Sequence, residues 1–272
     1  MKKILTLNDN LTIPILGFGT WELLGAKAKM AVLTALEVGY RHVDTADAYE
    51  NHKEVGLAIK ESRVPREELF ITSKLWRDEF EKGKVKGACQ RALKELGLDY
   101  LDLYLLHWPN KDVPIGETLE AMRELVEVGL VRSIGVSNFT IHHLEDVIAT
   151  GISVALNQVE FHPSLYQKEL EEFCGKHAIA VTAYSPMARG ADLKIPTIVD
   201  IAKKYKKSAS QIILNWTMQK GIVVIPKASN PIHIRDNFAS LEFDLAPEDC
   251  ALIDNLHMNR RIVLPDFNEF DY

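Results

Sequence analysis

Eight apolar runs of strand length, with helix-like periodic segments between them, constrain this chain more than any other feature of its sequence. The runs begin near Ile15, His42, Leu69, Leu101, Val131, Val154, Ile179 and Ile222. Helical spacing is clearest at Ala26 to Val38, Glu54 to Glu61, Lys82 to Leu96, Ile115 to Glu127, Ile141 to Ala149 and Ser208 to Met218. Gly39, Gly97, Gly129 and Gly151 follow or end four of these segments, where a glycine in the left-handed region commonly stops a helix. Several runs, such as YLDLYLLH and GIVVIP, are apolar on both faces, as a parallel sheet covered by helices requires. Eight units in one unbroken chain predict an α/β fold, a (β/α)8 TIM barrel. A doubly wound open sheet is the alternative, but the chain lacks the glycine-rich turn that usually accompanies dinucleotide binding there. Ahead of the repeat, Lys3 to Leu7 and Leu11 to Pro14 flank Asn8-Asp9-Asn10, which predicts a small hairpin cap with an Asx-type turn.

Composition narrows the function. A length of 272 residues suits a single barrel domain spanning 1–272, since such barrels run to about 250 residues, and no Pro/Gly/Ser-rich linker divides the chain. The net charge is −6 with Lys and Arg scattered among the acids, so no basic stripe exists to track a phosphate backbone and nucleic acid is not expected as a partner. Cys89, Cys174 and Cys250 match neither a zinc spacing nor a disulfide framework and read as reduced thiols. Asn8, Asp9 and Asn10 interrupt the apolar run a secretory signal would need, and no run of about 18 apolar residues is present. A soluble cytoplasmic protein with no membrane partner is the expectation.

In a (β/α)8 barrel the active site lies at the carboxyl ends of the strands. Here Asp44 and Tyr49 follow the second run, Lys74 ends the third and His107 the fourth. Ser137-Asn138 end the fifth, Gln158 the sixth, Tyr184-Ser185 the seventh and Lys227 the eighth. Each has a plain structural alternative: Lys74 as a solvated loop lysine, His107 as a histidine closing its strand, Gln158 as a core amide, Ser137-Asn138 as a helix cap. These alternatives are independent of one another, whereas one site explains all of them together.

The residue types also suit one chemistry. A free tyrosine, with a pKa of about 10, gives up its proton reluctantly at neutral pH. An adjacent ammonium is expected to favour the phenolate and lower that value, while a carboxylate fixes the ammonium. Asp44, Lys74 and Tyr49 supply those parts, and His107 stands ready to bind a carbonyl oxygen or help move its proton. No acidic cluster or histidine pair suggests a metal.

These motifs resemble the aldo-keto reductase family over essentially the whole chain. The resemblance is carried by LGFGTW at 16–21, RHVDTADAYENHKEVGLAI at 41–59, ITSKLW at 71–76 and DLYLLHWP at 102–109. It continues through GVSNF at 135–139, NQVEFHP at 157–163, AYSPMARG at 183–190 and IPKASN at 225–230. It implies a reductase of aldehyde or ketone carbonyls that uses a nicotinamide cofactor, NADP(H) or NAD(H), with a small-molecule carbonyl or alcohol as substrate and a monomeric state. It further implies that Asp44, Tyr49, Lys74 and His107 form the catalytic tetrad. Ser137, Asn138 and Gln158 would hold the carboxamide, Tyr184 would stack on the nicotinamide, and Ser185, Met187 and Arg189 would line the pyrophosphate and ribose path. Trp21, Trp76 and Trp108 would wall the substrate pocket. Asp47 is expected to be a loop residue without a chemical role, and Asn51 to start the next helix.

One segment departs from the family pattern. In IPKASNPIHIRDN, Lys227 is kept, but Ala228 replaces the usual serine before Ser229, and His233 stands where an arginine is usual. Asp236 holds the commonly acidic position, Asn237 is expected near adenine, and Arg235 would face elsewhere on a helix. An arginine grips a 2′-phosphate with permanent charge, whereas an unperturbed histidine is mostly neutral at pH 7, so dual cofactor use is expected. Two rival readings remain open at this stage: a cofactor-binding regulatory subunit, and a metal-dependent barrel hydrolase using His42, His107 and Asp44.

Overall fold

The computed structural model describes residues 3–272. Strands β1 (Ile4–Thr6) and β2 (Thr12–Pro14) form an antiparallel hairpin. Eight parallel strands follow: β3 (Phe18–Gly19), β4 (His42–Asp44), β5 (Phe70–Leu75), β6 (Leu101–Leu106), β7 (Val131–Ser137), β8 (Leu156–Glu160), β9 (Ala180–Tyr184) and β10 (Val223–Val224). They lie side by side in chain order, and Leu16 bridges Val224 in parallel, with Gly17 N–H donating to Val224 O and Val224 N–H to Ile15 O, both at 2.8 Å. The sheet therefore closes on itself as the expected (β/α)8 barrel, and the eight apolar runs are its staves.

The helices are α1 (Gly25–Val38), α2 (His52–Ser62), α3 (Lys82–Leu96), α4 (Ile115–Glu127), α5 (Ile141–Ala149), α6 (Lys168–Lys176), α7 (Pro196–Tyr205), α8 (Ala209–Gln219), α9 (Pro231–Phe238) and α10 (Pro247–Asp254). Three of the six expected helices, α3, α4 and α5, have the bounds read from periodicity, and the four expected glycines all have positive φ at or just past helix ends. Side-chain capping boxes, Thr140 with His143 and Ser208 with Gln211, start α5 and α8. The sequence reading gave no bounds for α6, α7, α9 and α10. Helix α6 buries only Leu170 and Cys174, too narrow a stripe to stand out, while the other three each begin with proline at a first position, a start signal that was there to be read.

The hairpin cap forms as expected, with Leu11 N–H donating to Asp9 Oδ1 at 3.0 Å in an Asx turn. Leu7 and Ile13 pack with Phe70, Leu103, Leu105, Ala155, Leu156 and Val223 in one buried cluster, so the hairpin closes the amino end of the barrel. The larger core lies between strands and helices. With one end plugged by apolar side chains, polar side chains have only the opposite rim at which to collect. Among the described residues no helix is long and apolar enough to cross a membrane.

Close helix packing depends on one glycine in particular. A Cβ on Gly56 of α2 would lie 2.2 Å from the carbonyl oxygen of Leu96 at the end of α3. Alanine gains about 1 kcal/mol of helix propensity over glycine, yet here backbone would have to move to admit it. Gly56→Ala should lower stability by about 1–3 kcal/mol in urea unfolding; a variant more stable than the parent would show that α2 and α3 can separate freely.

Candidate active site

Parallel pairing aligns the carboxyl ends of all eight strands on one rim. Asp44 ends β4 beside Gly19, Lys74 is the penultimate residue of β5, His107 directly follows β6, and Ser137 pairs with Gln158 across β7 and β8. Every side chain assigned above to the tetrad, the cofactor path or the pocket wall reaches a single cleft of about 770 Å³, except Lys74, which lies fully buried behind it.

The centre is built around the Lys74 ammonium. Its three N–H groups are all committed: to Asp44 Oδ1 at 2.5 Å, to the Thr45 carbonyl at 2.9 Å and to Tyr49 Oη at 3.2 Å. Burial alone would depress this lysine, but Asp44 and Tyr49 outweigh it and hold its pKa above the ordinary value. Burial raises the pKa of Asp44, with Lys74 and Gln158 opposing. Both of its oxygens accept from nitrogen donors, Oδ2 from Gln158 Nε2 at 2.7 Å, which is the bonding pattern of a carboxylate. Because Tyr49 Oη accepts from Lys74, its own O–H is left to point elsewhere, and Tyr49 lines the cleft.

Tyr49 differs from the expectation in one respect. Burial raises its pKa and Asp44 adds to the rise, while Lys74 opposes without reversing it. The ammonium acts in the predicted direction, but desolvation of the phenolate is the larger effect, so the phenol stays protonated at neutral pH. His107 sits against it, ring centroids 5.6 Å apart at 74°. Burial, aided by Lys74, pushes this histidine well below its usual range, so it is neutral, and its Nδ1 is buried without a hydrogen-bond partner.

The remaining polar groups interlock. Asn138, held at φ 66°, donates from Nδ2 to the His107 carbonyl at 2.9 Å and accepts at Oδ1 from Tyr184 Oη at 2.7 Å. Ser137 Oγ donates to the Gln158 carbonyl at 2.8 Å. Neither Ser137 nor Asn138 caps α5, which Thr140 does. Trp76 and Trp108 wall one side, each edge-on to Phe267 of the carboxyl-terminal tail, and Arg189 lies over the Trp21 ring at 4.5 Å. At the far end stand exposed Lys227, Ser229 and His233, with Ala228 and Asn237 buried among them. Asp236 also lines the cleft, but Oδ2 of its carboxylate already accepts from Ser208 and Ser210 at 2.6 and 2.9 Å. Arg235 does not line the cleft.

Sequence reasoning missed several parts. The aromatics of the tail indicate that it packs on the protein, but nothing in them shows that Val263, Pro265 and Phe267 form part of the cleft wall. Asn51 does precede α2, but its side chain does not cap it: Nδ2 donates to the carbonyls of Thr20 and Leu23, both at 2.9 Å, and Oδ1 accepts from Thr45 Oγ1 at 2.7 Å. It thereby pins the turn carrying Tyr49 to the loop carrying Trp21. Asp47 also has a structural task, accepting at Oδ2 from Tyr104 Oη at 3.3 Å in the 3-10 turn Asp47–Tyr49.

Burial pushes Asp47 up to about 7, against about 3.9 for a free aspartate. An acid whose folded pKa is raised contributes stability that is complete below its unfolded pKa and lost as pH rises through the folded one. Asp47→Asn removes that dependence, so its melting temperature should climb relative to the parent between pH 4 and pH 8, by an amount worth at most about 4 kcal/mol. A constant difference in thermal melts across that range would contradict the burial of this carboxylate.

Three comparisons bear on this site. Residues 15–257 match the model of the Aldo/keto reductase family. The chain is 44% identical to the 9,11-endoperoxide prostaglandin H2 reductase of Trypanosoma cruzi (strain CL Brener), covering 94% of this chain and 92% of that one. It is 42% identical to the glyoxal reductase of Bacillus subtilis (strain 168), over 96% and 95%. Among solved structures, the Bombyx mori aldo-keto reductase in complex with NADP superposes with a TM-score of 0.90 at 37% identity, covering 96% of this chain and 94% of that one.

Proposed function

This chain belongs to the aldo/keto reductase family, and on that basis we propose that it reduces the carbonyl of a small aldehyde or ketone to an alcohol, reversibly, with NADP(H) or NAD(H). The observation that carries this reading is the triply committed Lys74 ammonium, which holds Tyr49 Oη as an acceptor and so presents its proton to the cleft.

The donor set fits a dinucleotide. The half-buried Tyr184 ring offers a flat apolar platform near Tyr49, Ser137, Asn138 and Gln158 surround it with amide and hydroxyl groups, and Arg189 and Lys227 put cationic charge further along the cleft. When bound, the reduced nicotinamide supplies the hydride. Tyr49 protonates the oxygen on which negative charge develops, and Lys74 stabilises the phenolate left behind. Neutral His107 orients the carbonyl oxygen by a hydrogen bond that needs no change of its charge. Trp21, Trp76, Trp108 and Phe267 exclude water and favour apolar or dicarbonyl substrates.

Tyr49→Phe should bind cofactor normally yet reduce aromatic aldehydes or dicarbonyls about 10²–10⁴-fold more slowly, followed by nicotinamide absorbance. Near-normal turnover would sink the assignment of the proton donor. Retained cofactor binding with no turnover by the parent on any carbonyl would instead favour a regulatory role.

His233 sits exposed in the first turn of α9, beside the Asn230 cap. Without a permanent charge at this position, discrimination between the two cofactors weakens. Activity with both is expected, and His233→Arg should raise the NADPH preference. A parent preference for NADPH beyond about a thousandfold, roughly 4 kcal/mol in the transition state, would overturn this.

A further inference from the structure

Outside the catalytic centre, Glu160, His162 and Asp192 form a buried set of ionisable groups that does not line the cleft. His162 follows β8 and is fully buried, with Nε2 2.9 Å from Glu160 Oε1 and Nδ1 3.2 Å from Asp192 Oδ2. Both ring nitrogens face carboxylate oxygens, so satisfying both requires the doubly protonated imidazolium. Ser164 completes the set: its amide and hydroxyl donate to Asp192 at 3.0 and 2.7 Å, and its oxygen lies 3.1 Å from His162 Nδ1.

Each carboxylate belongs to a different wall of the cleft. Asp192 lies in the turn Asp192–Lys194, in the same loop as Met187, Arg189 and Gly190, which line the cleft. Glu160 accepts the backbone amides of Ile262 and Val263 at 2.8 and 2.9 Å, and the Ser164 carbonyl accepts those of Met258 and Arg260 at 3.1 and 3.0 Å. These bonds dock the tail that supplies Val263, Pro265 and Phe267 to the opposite wall.

We propose that His162 is a positioning residue that locks the tail wall and the loop wall of the cleft to each other. This inference rests on reading the cleft as the site of carbonyl reduction. Two buried carboxylates sharing one imidazolium carry a net negative charge, which the tail amides and Ser164 must solvate. A neutral His162 keeps one N–H and can serve only one carboxylate, so deprotonation frees either the tail or the loop. Burial alone would depress the imidazolium, but Asp192 and Glu160 outweigh it and hold His162 above its ordinary value. Glu160 faces it from β8 and Asp192 from the loop, while Arg261 of the tail is turned to Gln167 and the Phe270 ring.

Asp192→Asn is the informative variant, because Asp192 makes no hydrogen bond to the tail. Amide hydrogen exchange should be faster in 258–272 as well as in 187–194, and substrate KM should rise about tenfold with kcat little changed. In the parent, KM should increase as pH climbs through the raised His162 value; in Asp192→Asn that step should move to lower pH, because one of the two carboxylates raising it is gone. His162→Gln should abolish the step, and if that variant does not fold, Asp192→Asn alone decides. Unchanged tail exchange and an unshifted pH step in Asp192→Asn would overturn the proposal. Because the exchange measurement needs no turnover, absence of carbonyl reduction in the parent would refute the functional reading without touching the coupling.

Discussion

The architecture of the site depends on one fully buried ion pair. Taking an ammonium and a carboxylate out of water costs several kcal/mol per ion, and their attraction offsets this only if the remaining donors and acceptors are also satisfied. Lys74 and Asp44 meet that condition, with every N–H of the lysine and both oxygens of the aspartate bonded. Such an arrangement is a poor source of stability, since a packed apolar pair would serve the core as well. Its effect is on position and charge: the ammonium is fixed in space, and the phenol oxygen beside it accepts from that ammonium.

Around that pair, the structure repeatedly uses a buried polar side chain to tie one loop to another. Asn51 joins the Tyr49 turn to the Trp21 loop, Asn138 joins the ends of β6 and β9, and the Glu160–His162–Asp192 set joins the tail to the loop after β9. Barrel loops have little secondary structure to hold them, and leaving any one of these groups unpaired in the interior would cost about 1–3 kcal/mol. The rim is thus held together by satisfaction of buried polar atoms, whereas the staves and helices below it are held by apolar packing.

At Tyr49, His107 and Asp47, desolvation outweighs every neighbour. It keeps Tyr49 protonated despite Lys74, keeps His107 neutral, and lifts Asp47 to about 7. Tyr49 therefore keeps a proton to donate and His107 carries no charge at neutral pH, the states that the proposed reduction would use. Local charge prevails over burial at Lys74, beside Asp44 and Tyr49, and at His162, where two carboxylates converge on one imidazole.

Much of this was legible in the chain itself. Eight apolar runs, several of them apolar on both faces, specify a covered parallel sheet, because only helices on the outside and side chains within can keep such strands from water. The barrel followed from those runs, the hairpin cap from its turn residues, the grouping of Asp44, Tyr49, Lys74 and His107 from residue types at strand ends, and the three tryptophans from the family resemblance. What the linear sequence did not determine were consequences of non-local burial. No local pattern tells that Asn51 pins a distant loop instead of capping its helix, that Asp47 is partly buried while accepting from Tyr104, or that the aromatic tail packs where it walls the cleft. The net direction of the Tyr49 shift is of the same kind: the lysine could be read from its motif, but the loss of solvent that outweighs it exists only once the barrel has closed.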